Sequence, residues 1–167
     1  MSSRLALTVS VALLAGLSCL LTAYVIPVQI WALFVGWASF FAAGGDRPAF
    51  TRSVLMNVCG VFSATGSLLL VDLLGGSPWA VAACVVVGAG VLVIVGDIPI
   101  LSFTPAGFLG FASTVGTIGA TATAITDPIT FEHPALSAAI ALLLGALFGL
   151  ASVALSTALT RREPATT

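Results

Sequence analysis

The sequence predicts an all-α polytopic membrane protein: six transmembrane segments forming two inverted three-helix repeats, with the fifth segment broken. Three observations predict it: the composition, the punctuation by proline, glycine and charge, and a short motif that occurs twice. Of 167 residues, 59% are hydrophobic and only 7% charged, and the mean hydropathy is +1.21. A soluble domain is about one quarter charged, so this chain cannot cover a water-facing surface. There is no lysine, and the five arginines and six acids fall in short clusters. The uncharged stretches between them approach the roughly 20 residues that a bilayer core of about 30 Å demands of a helix.

The first segment, 5–25, follows Arg4 and has the charge-then-apolar order of a signal peptide. Its apolar run is longer than a usual signal core and no small-x-small site closes it. Ahead of Cys19, Gly16 stands at the position where a lipoprotein site wants its leucine, with Leu17 and Ser18 following, so a retained span is expected. Ile26-Pro27 ends it and the second segment, 27–45, closes at GGDRP. Proline lacks an N–H and restricts the residue before it, so it marks ends and restarts well. The third segment, 54–74, runs to GGSP at 75–78 and contains Asn57. A carboxamide at membrane depth should face protein or a cavity rather than lipid, as interhelical glue or as a pore ligand. The fourth segment, 79–97, ends at Asp97; the fifth covers 99–120. The loop TDPITFEHP, 126–134, precedes the sixth, 135–159.

Residues 1–160 thus form one transmembrane domain with halves of about 5–74 and 79–159, and 161–167 form a cytoplasmic polar tail. With the N terminus cytoplasmic, an even number of segments places Arg4, Arg47, Arg52, Arg161 and Arg162 all on the cytoplasmic side, as the positive-inside bias requires. The expected location is the bacterial cytoplasmic membrane, with both termini inside.

The repeated motif is FVGWAS at 34–39 and FLGFAS at 108–113, with Ile26-Pro27 and Ile98-Pro99 ahead of the two copies. Each copy lies in the middle segment of a three-segment half. Three is odd, so related halves would run with opposite polarity about an axis in the membrane plane, and their middle helices would meet where transporters place their sites. Apolar, glycine-rich chains also match themselves by coincidence. The fifth segment, with Pro99, Pro105 and many hydroxyl residues, reads as broken. Thr104 is the expected N-cap, with Pro105 at the first helical position.

These segments supply the candidate pore or substrate-binding residues: Phe34, Trp37, Asn57, Ser102, Thr104, Phe108, Phe111 and Thr114. On a helix from 104, Thr104, Phe108, Phe111 and Val115 share one face, and Gly107, Gly110 and Thr114 another. Phe34, Trp37 and Phe41 form the matching stripe in the second segment. In one reading the aromatics narrow a path and the hydroxyls replace hydrogen bonds that a dehydrated solute loses. In the plainer reading, glycines let helices approach and hydroxyls bond the backbone.

Asp72 and Asp97 lie at segment ends, where water solvates them. Glu132-His133 reads as a solvated loop pair whose joint replacement by alanine leaves transport unchanged. Cys19, Cys59 and Cys84 have neither CxxC spacing nor histidines nearby, so they read as packing residues. No HExxH, carboxylate cluster or Ser–His–Asp set is visible. The chain is expected to be no enzyme and to hold no cofactor or metal. Its expected partners are the lipid bilayer, a small neutral solute such as urea or an amide, and further copies of itself, with no nucleic acid. The competing expectation is a non-conducting accessory subunit packed against a larger partner.

At PVQIWALFVGWASFFAAGG and LSFTPAGFLGFASTVG the chain resembles the uncharacterised YcdZ-type family of small bacterial inner-membrane proteins. Trp31, Ala32, Phe34 and Gly36 carry the likeness first, then Leu101, Ser102, Phe103, Pro105, Phe108 and Gly110. The chain departs from that pattern in its arginine-containing, lysine-free tail and its longer acidic loop before the last segment. The resemblance implies a location but no substrate. A looser likeness to halves of bacterial urea channels implies an inverted repeat with a Pro/Thr-containing broken segment, as a matter of fold alone.

Overall fold

In the computed structural model, residues 1–160 are described; Arg161 and Arg162, two of the five arginines behind the predicted orientation, lie outside them. The fold is all-helical with six α-helices: α1 Ser3–Tyr24, α2 Ile30–Ala42, α3 Arg47–Leu73, α4 Pro78–Val95, α5 Thr104–Thr121 and α6 Pro134–Thr160. Four of them, α1, α3, α4 and α6, are long and apolar enough to cross a membrane. The other two are the middle members of each half. With 13 residues α2 spans only about 20 Å, and the 18 residues of α5 include four glycines and five serines or threonines. The apolar outer surface of the helices places the protein in a membrane, in contact with lipid.

The helix starts follow from local chemistry. Ser2 caps α1 and Ser77 caps α4, its side chain accepting from Ala80 N at 3.2 Å. The Asp46 carboxylate accepts from Ala49 N at 2.7 Å with Pro48 in the first turn. That cap corrects the expected start of the third segment: the helix begins at Arg47 rather than 54, so Arg47 and Arg52 lie on it. Arg52 reaches back to donate to Ala43 O at 3.2 Å, satisfying a carbonyl where α2 ends. Between α3 and α4, Gly75 and Gly76 take φ values of 77° and 68°, a backbone that only glycine adopts freely.

Residues 99–120 do not form a single helix, and α5 itself runs without a break from Thr104 to Thr121. A 3₁₀ turn, Pro99–Leu101, precedes α5, and residues 102 and 103 separate the two. Thr104 is not the cap, however. Phe103 occupies that position and no side chain caps the helix. Pro105 removes one N–H that would otherwise need a partner, which lessens the need for a capping hydroxyl.

Packing is organised around α3 and α6, which meet each other centrally. α2 packs chiefly on α6 and α5 on α3, while α1 lies against α6 and α4 against α3. This pattern is unchanged when the first three helices are exchanged for the last three. The correspondence extends to single residues. A Cβ on Gly36 would lie 2.7 Å from Leu142 Cα, and one on Gly110 would lie 3.0 Å from Asn57 Cα. Likewise a Cβ on Gly145 would lie 2.6 Å from Trp37 N, and one on Gly60 would lie 2.8 Å from Phe111 N. Each α5 residue here is 74 positions after its α2 counterpart, the spacing of the repeated motif, and each α6 residue is 85 after its α3 counterpart. Backbones that approach so closely gain dispersion contacts and weak Cα–H···O bonds, which hold helices together where lipid supplies no hydrophobic drive.

Candidate functional site

The largest buried hydrogen-bonded side-chain group lies between α2 and α3. Ser39 and Ser53 share a hydrogen bond of 2.7 Å, and Asn57 Nδ2 donates to Ser39 Oγ at 3.0 Å and to Ser53 Oγ at 3.3 Å. Ser53 and Asn57 are one turn apart on α3, so both point to the same flank, and Ser39 is the last residue of FVGWAS. Asn57 lies about 15 Å along α3 from its start, at membrane depth. Its Oδ1 is buried without a partner, as is Ser113 Oγ on α5. Ser113 is the last residue of FLGFAS and the counterpart of Ser39. The positions corresponding to Ser53 and Asn57 are Ala138 and Leu142, which leaves Ser113 nothing equivalent to bond.

Asn57 lines a cavity of about 10 Å³ on the α3–α6 seam, with Leu142 and Leu143 opposite. That is room for about one water molecule. A separate apolar groove of about 290 Å³, open at the outer surface where Phe62 and Ile129 are exposed, lies nearer the 122–133 loop, and Val58, Val61 and Ala139 line both spaces. At the loop end stands His133, which is not the solvated residue expected. It is 7% exposed and lines the groove, while its neighbour Glu132 is exposed. The ring is pinned because Nε2 lies 3.1 Å from Ile125 O. A carbonyl only accepts, so it is Nε2 that carries the hydrogen in this contact. Nδ1 is buried without a partner.

The other sequence-derived candidates do not converge on this seam. Phe34 and Phe108 hold corresponding positions and both face outward, 41% and 45% exposed. Phe34 stacks on Trp37, with ring centroids 6.0 Å apart. Trp37 is buried against α6 beside Phe148, with Nε1 unpartnered. Phe111 packs on Met56, Leu92 and Ala106, so Phe108, Phe111 and Val115 do not form one lining stripe. The Thr114 hydroxyl donates to Gly110 O at 3.0 Å within its own helix, as the plainer reading has it. Thr104 sits half-buried against Gly96, and Ser102 is exposed after the 3₁₀ turn. Sequence reasoning picked out Asn57 but passed over Ser39, Ser53, Ser113 and His133. The closing serine of both motif copies was the available signal for two of them.

Hollows flank the two ends of α2. One of about 360 Å³ is bounded by Thr22, Gln29, Thr121 and Glu132, and one of about 490 Å³ by Asp46, Arg47 and α6. Asp72 and Asp97 are exposed at helix ends. Among the described residues no group of histidine, cysteine and acidic side chains is placed to hold a metal.

Six packed helices, four of them long and apolar enough to cross a membrane, define a helical membrane protein. The chain belongs to the family described as Protein of unknown function (DUF1097), whose model matches residues 8–157. It is also similar to the uncharacterized protein YahC of Escherichia coli strain K12, with 37% identity over 120 residues, 66% of this chain and 73% of that protein. No solved structure matches the chain.

Proposed function

We propose that the protein is a channel or permease for a small neutral polar solute of the urea or amide type. The carrying observation is Asn57: a buried carboxamide at membrane depth whose Oδ1 lacks a partner, lining a water-sized cavity on the central seam. An unmet acceptor in a low-dielectric interior is costly, and a passing solute with an N–H or O–H group meets it. No charged residue lines the cavity or the groove, which favours a neutral solute over an ion. The matched packing of the two sets of three helices supports an inverted repeat. Arg4, Arg47 and Arg52 support cytoplasmic termini in a bacterial inner membrane, in keeping with the YcdZ-type resemblance. The seam is narrow and the wall one helix thick, so a homo-oligomer in which each copy holds its own path fits better than a lone protomer. Stopped-flow light scattering on proteoliposomes loaded with urea, acetamide or glycerol tests this. Faster volume relaxation than empty vesicles is expected, and no acceleration for any solute overturns it.

A second reading has its own support. The four glycine contacts close the interior backbone to backbone, which suits a non-conducting subunit that packs against a larger membrane protein. Stoichiometric co-purification with such a partner, together with silent proteoliposomes, would decide for it.

A further inference from the structure

Past the end of α2 the bundle is missing a wall. Gly149 of α6 packs against Phe40 of α2. Two residues later α2 stops at Ala42, whereas α6 runs on to Thr160, about 16 Å beyond that contact. Its last turns stay largely apolar, reading LASVALSTAL at 150–159. The hollow of about 490 Å³ occupies the space that α2 leaves open. Leu150, Val153, Ala154 and Ala158 of α6 form its wall, and the α2–α3 turn supplies its rim with Asp46 and Arg47.

The rim is where the charge lies. Among the described residues the Arg47 guanidinium has neither a hydrogen bond nor an ion pair; only its carbonyl is engaged, by the Thr51 hydroxyl. The Asp46 carboxylate beside it is held by Ala49 N at 2.7 Å as the cap of α3. Arg52 adds a second positive charge next to the turn, donating to Ala43 O at 3.2 Å. Arg4, at the start of α1, stands at the same end of the bundle, so every described arginine is on this side. Asp97, the other acid at this end, follows α4 and is not on the rim. Asp72, Asp127 and Glu132 stand at the opposite end.

We propose that this hollow seats the headgroup of an anionic phospholipid. The phosphate lies on the Arg47 guanidinium, whose planar fork suits two phosphate oxygens, and the acyl chains leave along Leu150, Val153 and Ala154. Each half of the site selects for this ligand. A free phosphate gains the arginine but leaves the apolar wall bare, and a zwitterionic headgroup brings its own cation to the phosphate. A basic pocket between helices at a membrane interface is the usual form of such a site. A headgroup drawn down to the end of α2 also meets the mismatch of a helix shorter than the hydrocarbon slab. The site stands whether or not the protein passes a solute.

Native mass spectrometry of the delipidated full-length protein tests the assignment, with phosphatidylglycerol, phosphatidylcholine and glycerol 3-phosphate as the probes. We expect one phosphatidylglycerol to bind about fivefold or more tighter than phosphatidylcholine, the worth of one interfacial arginine, and glycerol 3-phosphate not to bind. Arg47→Gln should erase that preference, while Arg4→Gln, which is off the rim, should keep most of it. Ala154→Trp fills the hollow and leaves Arg47 in place, so it should lower phosphatidylglycerol binding without an effect on charge. Thermal unfolding of each variant near wild type shows that the losses are local. Equal affinity for the two lipids, equal losses in Arg47→Gln and Arg4→Gln, or binding indifferent to Ala154→Trp overturns the proposal. Tight binding of glycerol 3-phosphate would assign the hollow to a soluble phosphate instead. A lipid-free dimer that Ala154→Trp dissociates would assign it to a second copy of the chain.

Discussion

Replacing Gly36 by alanine drives a methyl group into the backbone of Leu142. The added carbon would stand 2.7 Å from Leu142 Cα and 2.8 Å from its carbonyl carbon, against 3.4 Å for ordinary contact. The Leu142 carbonyl oxygen is nearer still and backbone cannot rotate aside, so α2 and α6 must separate by roughly 1 Å and loosen the contacts between them. Overpacking costs about 1–3 kcal/mol, and a clash with unyielding backbone belongs at the upper end of that range; after the roughly 1 kcal/mol that alanine gains over glycine in a helix, a net loss of about 1–2 kcal/mol remains. Gly145, Gly60 and Gly110 meet backbone in the same way, so all four alanine variants should lose stability alike. For a chain of this size that is a fall of about 2–8 °C in apparent melting temperature. Gly16, Gly66, Gly90 and Gly119 are internal controls, because an added Cβ at each meets nothing within 4 Å. Their alanine variants should melt at or above wild type, by up to about 1 kcal/mol. The assay is tryptophan fluorescence on heating the detergent-solubilised protein. The reasoning is refuted if Gly36→Ala and Gly110→Ala melt within about 1 °C of wild type, or if the tight and open groups overlap.

Asn57→Leu copies the residue that α6 carries at the corresponding position, so it should fold within about 1 kcal/mol of wild type yet pass no solute in the vesicle assay; retained flux would remove Asn57 from the path. Ser39→Ala breaks two buried hydrogen bonds and should cost about 1–2 kcal/mol, while Ser113→Ala deletes a hydroxyl that has no partner and should be neutral or stabilising, both read by thermal unfolding. In a cysteine-free background, a membrane-impermeant maleimide applied to intact cells should label Ile129→Cys and spare Ile98→Cys; the opposite labelling would invert the proposed orientation.

The element boundaries were legible where a proline or a capping side chain marks them. Pro27, Pro78, Pro99 and Pro134 each fall within three residues of a helix start or end. The start of α3 was not legible from hydropathy, because the Asp46 cap and Pro48 extend the helix through two arginines that apolar counting assigns to a loop. The repeated motif did point to the two helices that pack alike, although its aromatics drew attention outward. Phe34 and Phe108 repeat because they occupy the same lipid-facing position, while Gly36, Gly110, Ser39 and Ser113 form the inner side of the same hexapeptides. His133 was illegible for a different reason. Nothing in FEHP reports that the Ile125 carbonyl meets the ring at Nε2 or that the ring is buried.

On the proposed channel reading, the shortness of α2 would set how far a polar solute travels without water. At about 20 Å it is a third shorter than the roughly 30 Å hydrocarbon slab, and a hollow opens beyond each of its ends. Along that helix the barrier to dehydration is therefore thinner than the bilayer itself. In the proposed passage, the length of that one wall would bring the two aqueous phases closer together.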